Sequence, residues 1–215
     1  MKKIMRAASA LIVLGLLSFQ MKAQELESSL KEAWKALQAA NDMPAWMNAG
    51  NKFSLIVSKW PEDPHANYYA AYSRAFISTK EADPKRKDLL LDEADKYIGK
   101  LNTLDAANDE SLVLTAYAAF TRFMVDPANR WKKYLGVMDE NLEKAKKANP
   151  DNPRIYYLEG IPVFNKPVLY GGGKKKAMPY FEKAKLLYAK QATDSVLKPS
   201  WGEKENEEYL AKCRE

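Results

Sequence analysis

The chain contains very few of the residues that most enzymes use for chemistry. It has one cysteine, Cys213, and one histidine, His65, in 215 residues. A lone cysteine excludes an internal disulfide, which leaves a packed thiol or an intermolecular disulfide. A single histidine beside Pro64, with no placed Ser or Cys, forms neither a zinc-binding cluster nor a catalytic triad. The sequence therefore predicts no catalytic residue, no metal and no cofactor.

Apolar runs long enough to span a bilayer are also missing. The run over residues 7–19 is too short to cross a membrane, and it follows a basic N-terminus. A basic start, a short apolar run and a small final residue are typical of a secretory signal peptide. We therefore predict a leader over residues 1–23, cleaved after Ala23, and one domain over residues 24–215. An uncleaved anchor is the alternative interpretation.

The positive charge of the chain lies mostly in this leader. The full chain carries a net charge of +6, but the leader holds four basic residues and no acid, so cleavage leaves +2. A nearly neutral protein gives no electrostatic argument for nucleic-acid binding. We expect a periplasmic protein, with secretion as a further option, and no stable membrane insertion after cleavage.

A spacing pattern recurs four times along the chain. In each pass a small or flexible residue is followed four places later by a large apolar one and three places after that by another apolar or small one. The passes are Ala49-Phe53-Ile56, Ala94-Ile98-Leu101, Met138-Leu142-Ala145 and Ala177-Phe181-Ala184. Intervals of four and three place each set on one helical face, and a repeat of this length indicates stacked helix pairs.

Helix start and stop signals divide the chain into eight helices and a final one. No stretch alternates apolar and polar residues, so we expect no sheet. The predicted helices are 25–41, 44–59, 65–79, one opened by Asp83-Pro84 and reaching Leu101, 108–124, 130–148, 154–164, 174–191 and one from about Ser200 to the C-terminus. Pro and Gly clusters mark the turns between them.

The residues of these units resemble known repeat families. The repeated spacing with a following proline, and Trp34 three places before Leu37, resemble tetratricopeptide repeats. Asn152–Gly160, with the later Gly171–Gly173 and Pro199–Gly202, resembles a group of exported repeat proteins from Bacteroidota. The chain is also similar, more distantly, to the helical-repeat component of TRAP-type transport systems. The resemblance implies an all-α, right-handed superhelical solenoid of about four helix pairs with a C-terminal capping helix.

Aromatic residues give the best indication of a binding site. Twelve Tyr and five Trp exceed what simple core filling needs, and the first helices of stacked pairs line a concave face. The equivalent positions on that face define the predicted partner-binding residues, which are Tyr69, Ser73, Tyr117, Thr121, Arg154, Tyr157 and Asn165. The alternative is that these rings pack between helices.

Two further segments have plain interpretations. Gly171–Gly173 followed by three lysines lacks the Ser or Thr of a phosphate-binding P-loop, so we interpret it as a turn, with an anion site as the weaker alternative. The acids of residues 203–208 are typical of a solvated helix face. The sequence therefore favours a non-catalytic scaffold that engages a protein or peptide on its concave face. A periplasmic transport accessory that binds a small organic solute is the alternative.

Overall fold

The protein is helical throughout the part that its structure describes. The structure is a computed structural model that describes the backbone of residues 2–105, 108–191 and 195–215, and the side chains of those residues from position 21 onward. These ranges contain nine α-helices, a short 3₁₀ turn and no strand, which confirms the all-α prediction. The helices are α1 (Lys2–Ala39), α2 (Met43–Lys59), α3 (Pro64–Lys80), α4 (Pro84–Leu104), α5 (Asp109–Val125), α6 (Pro127–Ala148), α7 (Pro153–Asn165), α8 (Lys174–Tyr188) and α9 (Glu203–Arg214).

No helix in the described ranges is both long and apolar enough to cross a membrane. Helix α1 runs without a break through the predicted cleavage point after Ala23. Cleavage of the leader stays a prediction.

Short capping motifs set where most helices begin. Helices α3, α4, α6 and α7 start at an Asp or Asn whose side chain accepts a hydrogen bond from a backbone N–H of the first turn, and a proline follows directly. The cap satisfies one free N–H group, and proline at the first position costs no hydrogen bond because its missing N–H would have no partner there. These local motifs explain why the starts of α3, α4 and α7 could be predicted closely from the sequence.

Several helix boundaries differ from the prediction; α1, for example, is Lys2–Ala39 where the prediction was 25–41. Helix α6 starts at Pro127 instead of residue 130, because Asp126 ends α5 and caps α6 at once. Helix α8 ends at Tyr188, short of residue 191. Helix α9 starts at Glu203 because Gly202, with a φ of 95°, turns the chain just before it.

The repeating pattern of small and large residues forms the core of the second helix in each pair. All twelve residues of the four passes are buried, and they lie on α2, α4, α6 and α8. Each of these helices packs against the helix before it in the chain. The spacing therefore predicted the core face of every second helix.

The first helices of the pairs form a row. Helix α1 contacts α3, α3 contacts α5, and α5 contacts α7, and we call these four helices the inner row. Helix α9 packs on α8, as a cap should, but the chain that leads into α9 also crosses the inner row, where Trp201 stacks on a ring of α3. The right-handed superhelical path stays a prediction.

Candidate functional site

An aromatic cluster joins the inner row to the start of α9. Tyr72 of α3 stacks on Phe76 one turn later, with ring centroids 6.0 Å apart, and on Tyr117 of α5, at 5.9 Å. Trp201 contacts both tyrosines, with its centroid 5.1 Å from each. Trp34 of α1 closes the cluster at 5.6 Å from Tyr72. Four separate segments therefore bring their aromatic rings together at one place.

Trp201 is held by hydrogen bonds through both its side chain and its backbone carbonyl. Its indole Nε1–H donates to the Tyr68 hydroxyl at 2.7 Å, and its carbonyl accepts from the Tyr188 hydroxyl at 3.2 Å. At Gly202 any side chain would collide with Tyr188, since a Cβ there would lie 2.3 Å from that hydroxyl oxygen. The ring of Trp201 is thus fixed by its partners and by the turn that follows it.

Residues 195–202, which we call the strap, are tied down by a buried arginine. The fully buried Arg154 guanidinium donates to the Pro199 carbonyl, to Glu110 Oε1 at 2.8 Å and to Gln191 Oε1 at 3.2 Å. It also lies 5.3 Å from the centre of the Trp201 ring, within cation–π range. These contacts position the strap across the inner row.

Glu110 and two tyrosine hydroxyls complete this polar core. Tyr68 donates to Glu110 Oε2 at 3.1 Å, and Tyr69 donates to the Val196 carbonyl at 2.5 Å. Burial raises the pKa of the Glu110 carboxyl, while the charge of Arg154 lowers it. The arrangement is a structural anchor, because each of these groups bonds within the core and none of them lines the cavity described next.

A cavity opens between the inner row and α9, and we call it the aromatic groove. It has a volume of about 400 Å³ and adjoins a second space of about 450 Å³ that shares Tyr72, Phe76 and Trp201 with it. Ligand sites for small molecules have volumes of this order. Further residues that line the first space are Lys80, Lys87, Tyr117, Thr121, Met124, Tyr157, Ile161, Glu205, Glu208, Tyr209 and Lys212.

Three lysines lie along the aromatic groove without an acidic partner. Lys80, Lys87 and Lys212 form no ion pair with any described residue. The ammonium group of Lys80 lies 5.0 Å from the centre of the Phe76 ring, and that of Lys212 lies 5.2 Å from the Tyr209 ring. A cation beside an aromatic surface suits a ligand that is both flat and acidic.

The phenols of the groove are neutral donors. Burial raises the pKa of Tyr72, Tyr117 and Tyr157 above the ordinary value of 10.0. His65 lies elsewhere, at the start of α3 beside Asp63. The described residues include no group of three or more His, Cys, Asp or Glu that could hold a metal ion. The rings, hydroxyls and lysines of the groove offer a ligand stacking, hydrogen bonding and charge pairing.

The structure separates the predicted site residues into three groups. Tyr117, Thr121 and Tyr157 line the aromatic groove. Tyr69, Ser73 and Arg154 are buried in the helix packing, where the Ser73 hydroxyl donates to the Ala70 carbonyl at 2.9 Å. Asn165 is exposed and donates to the Ile161 carbonyl at 2.9 Å. The structure thus brings three of the seven together on the groove.

The predicted site residues did not include Tyr72 and Trp201, whose rings stack on each other beside the groove. Tyr68, Tyr72 and Phe76 follow one another at intervals of four, which predicts one face of α3, but the sequence alone did not assign Tyr72 to the site. Trp201 belongs to a segment that the resemblance singled out, but nothing local showed that it would reach the inner row. Glu205 and Glu208 were interpreted as part of a solvated face, whereas both border the groove.

The fold and the groove together define a helical binding protein with a preformed aromatic site. No protein-family model matches the chain, and no curated protein matches it. Among solved structures, the chain is similar to the HusA haemophore from Porphyromonas gingivalis, with 30% sequence identity and a TM-score of 0.74. The match covers 89% of this chain and 92% of that one.

The chain therefore belongs to the same family as the HusA haemophore. This membership confirms the predicted relationship to exported helical proteins of Bacteroidota. It also suggests a binding protein instead of an enzyme. The closer resemblance to tetratricopeptide repeats and to TRAP-type systems stays a prediction.

Proposed function

We propose that this protein is an exported carrier that holds haem, or a porphyrin of the same shape, in the aromatic groove. One observation carries the proposal: in a relative of a haemophore, Tyr72, Tyr117 and Trp201 bring three rings together beside a cavity of about 400 Å³. A flat macrocycle is the ligand that such a surface suits, because stacking on several rings removes both of its faces from water.

Charge supports the same ligand. Haem carries two propionate groups, and the groove offers Lys80, Lys87 and Lys212 without acidic partners among the described residues. A carboxylate that pairs with a lysine at the edge of an apolar site gains orientation as well as affinity. Glu205 and Glu208 border the groove from α9, the helix that also carries Lys212, and their charge would disfavour an acidic edge placed beside them.

Binding through the macrocycle, without a histidine or tyrosinate bond to iron, is what the donor groups favour, and the thioether of Met124 is the one soft donor that lines the groove. The only histidine of the chain lies outside the groove, and the groove tyrosines have raised pKa values that oppose the phenolate form. We therefore expect iron-free protoporphyrin to bind as tightly as haem, within about threefold.

A small solute fits the groove better than an extended peptide. The strap and α9 cover part of the inner row on which a peptide would lie, and Trp201 is fixed there by Tyr68 and Tyr188. This geometry supports the small-solute alternative derived from the sequence. A protein or peptide partner on the concave face stays a prediction.

Titration of the protein with haem and with protoporphyrin, followed by absorbance and by quenching of tryptophan fluorescence, tests the proposal. The double variant Lys80→Gln with Lys212→Gln should weaken binding of both at least about tenfold. Lys183→Gln is a matched control, since Lys183 also lies over a ring, that of Tyr156, but outside the groove. Absence of binding by the unaltered protein, or equal loss in the control, would overturn the proposal.

Export is a separate part of the proposal and has its own test. We propose that residues 1–23 direct the chain out of the cytoplasm and are removed after Ala23. Sequencing of the N-terminus of protein recovered from the cell envelope should read from Gln24. A chain that retains residues 1–23 would support the anchored alternative.

A further inference from the structure

The turn between α7 and α8 exposes three consecutive apolar side chains. Val168, Leu169 and Tyr170, which we call the tip, are 79%, 88% and 67% exposed. Apolar residues scattered singly over a surface need no explanation, but three neighbours at the end of a projecting turn indicate a contact surface. None of the three lines the aromatic groove, so the proposed carrier function does not account for them.

The backbone beneath the tip is built to hold these side chains outward. The Tyr170 N–H donates to the Pro167 carbonyl at 2.9 Å, and the Gly173 N–H donates to the Val163 carbonyl at 2.8 Å. Gly171 and Gly173 have φ values of 82° and 95°, which favour glycine. A Cβ at Gly172 would lie 2.2 Å from the Lys166 carbonyl oxygen, so the turn also closes tightly. The tip is therefore ordered by its own hydrogen bonds.

Lysines flank the tip on both sides in the sequence, and no acid lies near it along the chain. Lys166 precedes it, Lys174, Lys175 and Lys176 follow it, and residues 160–181 contain no Asp or Glu. All four lysines are exposed, and none forms an ion pair with a described residue. Three lysines in the first turn of α8 oppose the helix dipole, which is a local cost to stability. A function that needs positive charge at this place explains the arrangement.

We propose that the tip docks the protein on an anionic lipid surface. The three apolar side chains enter the boundary between headgroups and acyl chains, where an aromatic residue such as Tyr170 is favoured. The lysines stay at headgroup level and pair with the negative charge of the lipids. An exposed apolar turn flanked by exposed lysines is complementary to such a membrane surface in both polarity and charge.

The tip residues are separate from those that line the aromatic groove. The docking proposal does not depend on which ligand the groove holds, because the two sets of residues do not overlap.

Co-sedimentation of the full chain with lipid vesicles tests the proposal. Vesicles of equal parts phosphatidylcholine and phosphatidylglycerol should bind the protein, and pure phosphatidylcholine vesicles should bind it at least about tenfold more weakly. Binding to the anionic vesicles should fall as salt is added, because counterions screen the lysines. Equal binding to both vesicles, or none to either, would overturn the proposal.

Variants show whether vesicle binding depends on the tip or on another part of the surface. Leu169→Asp should lower the partition onto anionic vesicles at least about tenfold, and so should replacement of Lys174, Lys175 and Lys176 by Gln. Leu55→Asp is the matched control, since Leu55 is 70% exposed on α2 and should change binding by less than about twofold. The apolar run near the N-terminus is the same in every variant.

Two further measurements show whether a tip variant is still folded and still binds ligand. Circular dichroism should show the same helix content in all variants, and Leu169→Asp should bind porphyrin as the unaltered protein does. A tip variant that loses cross-linking to an envelope protein while vesicle binding is unchanged would overturn the lipid proposal and assign the tip to a protein partner.

Discussion

Trp201 stacks on Tyr72 with ring centroids 5.1 Å apart and ring planes inclined by 29°. The two residues are far apart in the sequence, and this contact forms the wall of the aromatic groove. Trp201 reaches Tyr72 because the strap is bonded to Arg154 and Tyr69 and because Gly202 turns the chain into α9. The groove therefore depends on contacts that hold a C-terminal segment against the inner row.

The first prediction concerns this ring. Trp201→Ala should weaken porphyrin binding at least about tenfold, or about 1.4 kcal/mol, because one stacking surface is lost. Trp201→Phe keeps a flat ring and loses only the hydrogen bond to Tyr68, so it should retain most of the affinity. The measurement is fluorescence titration, with Trp131→Ala as the control, since Trp131 is 57% exposed on α6. Equal affinity in Trp201→Ala would remove Trp201 from the site.

A second prediction concerns Arg154, which is fully buried and pairs with Glu110. Arg154→Met should lower the free energy of unfolding by about 3 kcal/mol, because the mostly buried Glu110 carboxylate would lose the cation that pairs with it. Adding Glu110→Gln should restore part of this loss. Urea unfolding measures both variants.

The control for Arg154 is the exposed pair of Lys144 and Glu140 on α6. Lys144→Met should change the unfolding free energy by less than about 0.5 kcal/mol. If Arg154→Met proved as mild as this control, the arginine would not anchor the strap.

A third prediction compares the effect on stability of replacing a closely packed glycine and an unpacked one by alanine. A Cβ at Gly160 on α7 would lie 2.6 Å from the Phe181 ring, which stacks on Tyr209 with centroids 5.0 Å apart. Gly160→Ala should therefore cost about 1–3 kcal/mol of stability. Gly99→Ala has open space around it within α4 and should stabilise by up to about 1 kcal/mol. Thermal unfolding distinguishes them, and equal effects would contradict the packing that we describe.

Acid stability provides a fourth prediction. Asp88 accepts two hydrogen bonds from Arg130, at 2.6 and 2.7 Å, and this pairing lowers the pKa of its carboxyl below the ordinary value of 3.8, against a smaller opposing effect of burial. Because its pKa is lowered only in the folded protein, the Asp88 carboxyl is protonated at a higher pH in the unfolded chain than in the folded one. The stability that Asp88 contributes is thus complete above about pH 3.8 and is lost as the pH falls through the lowered value.

The variant Asp88→Asn tests whether this contribution to stability decreases as the pH falls. The variant should be less stable than the unaltered protein at about pH 6, and the difference should shrink at about pH 2.5. Since Asp88 is partly exposed, the difference at neutral pH should stay near 1 kcal/mol. Urea unfolding at the two pH values measures it, and a difference that grows on acidification would refute the assignment.

The sequence by itself determined the helices and the buried face of every second one. Pairs such as Asp63-Pro64 and Asn152-Pro153 start helices through hydrogen bonds that span only a few residues. The spacing of Ala49, Phe53 and Ile56 fixes which side of α2 is buried, whatever it packs against. Such features depend on neighbours along the chain, so they could be predicted directly.

Only the tertiary structure decided where the groove lies and which residues line it. Arg154 was predicted to face a partner, but it is buried because Glu110 and the carbonyl of Pro199 converge on it from distant parts of the chain. Tyr72 lines the groove because Trp201, from the C-terminal part of the chain, stacks on it. Contacts of this kind join segments that have no shared pattern in the sequence, and their geometry is set by how the helices pack.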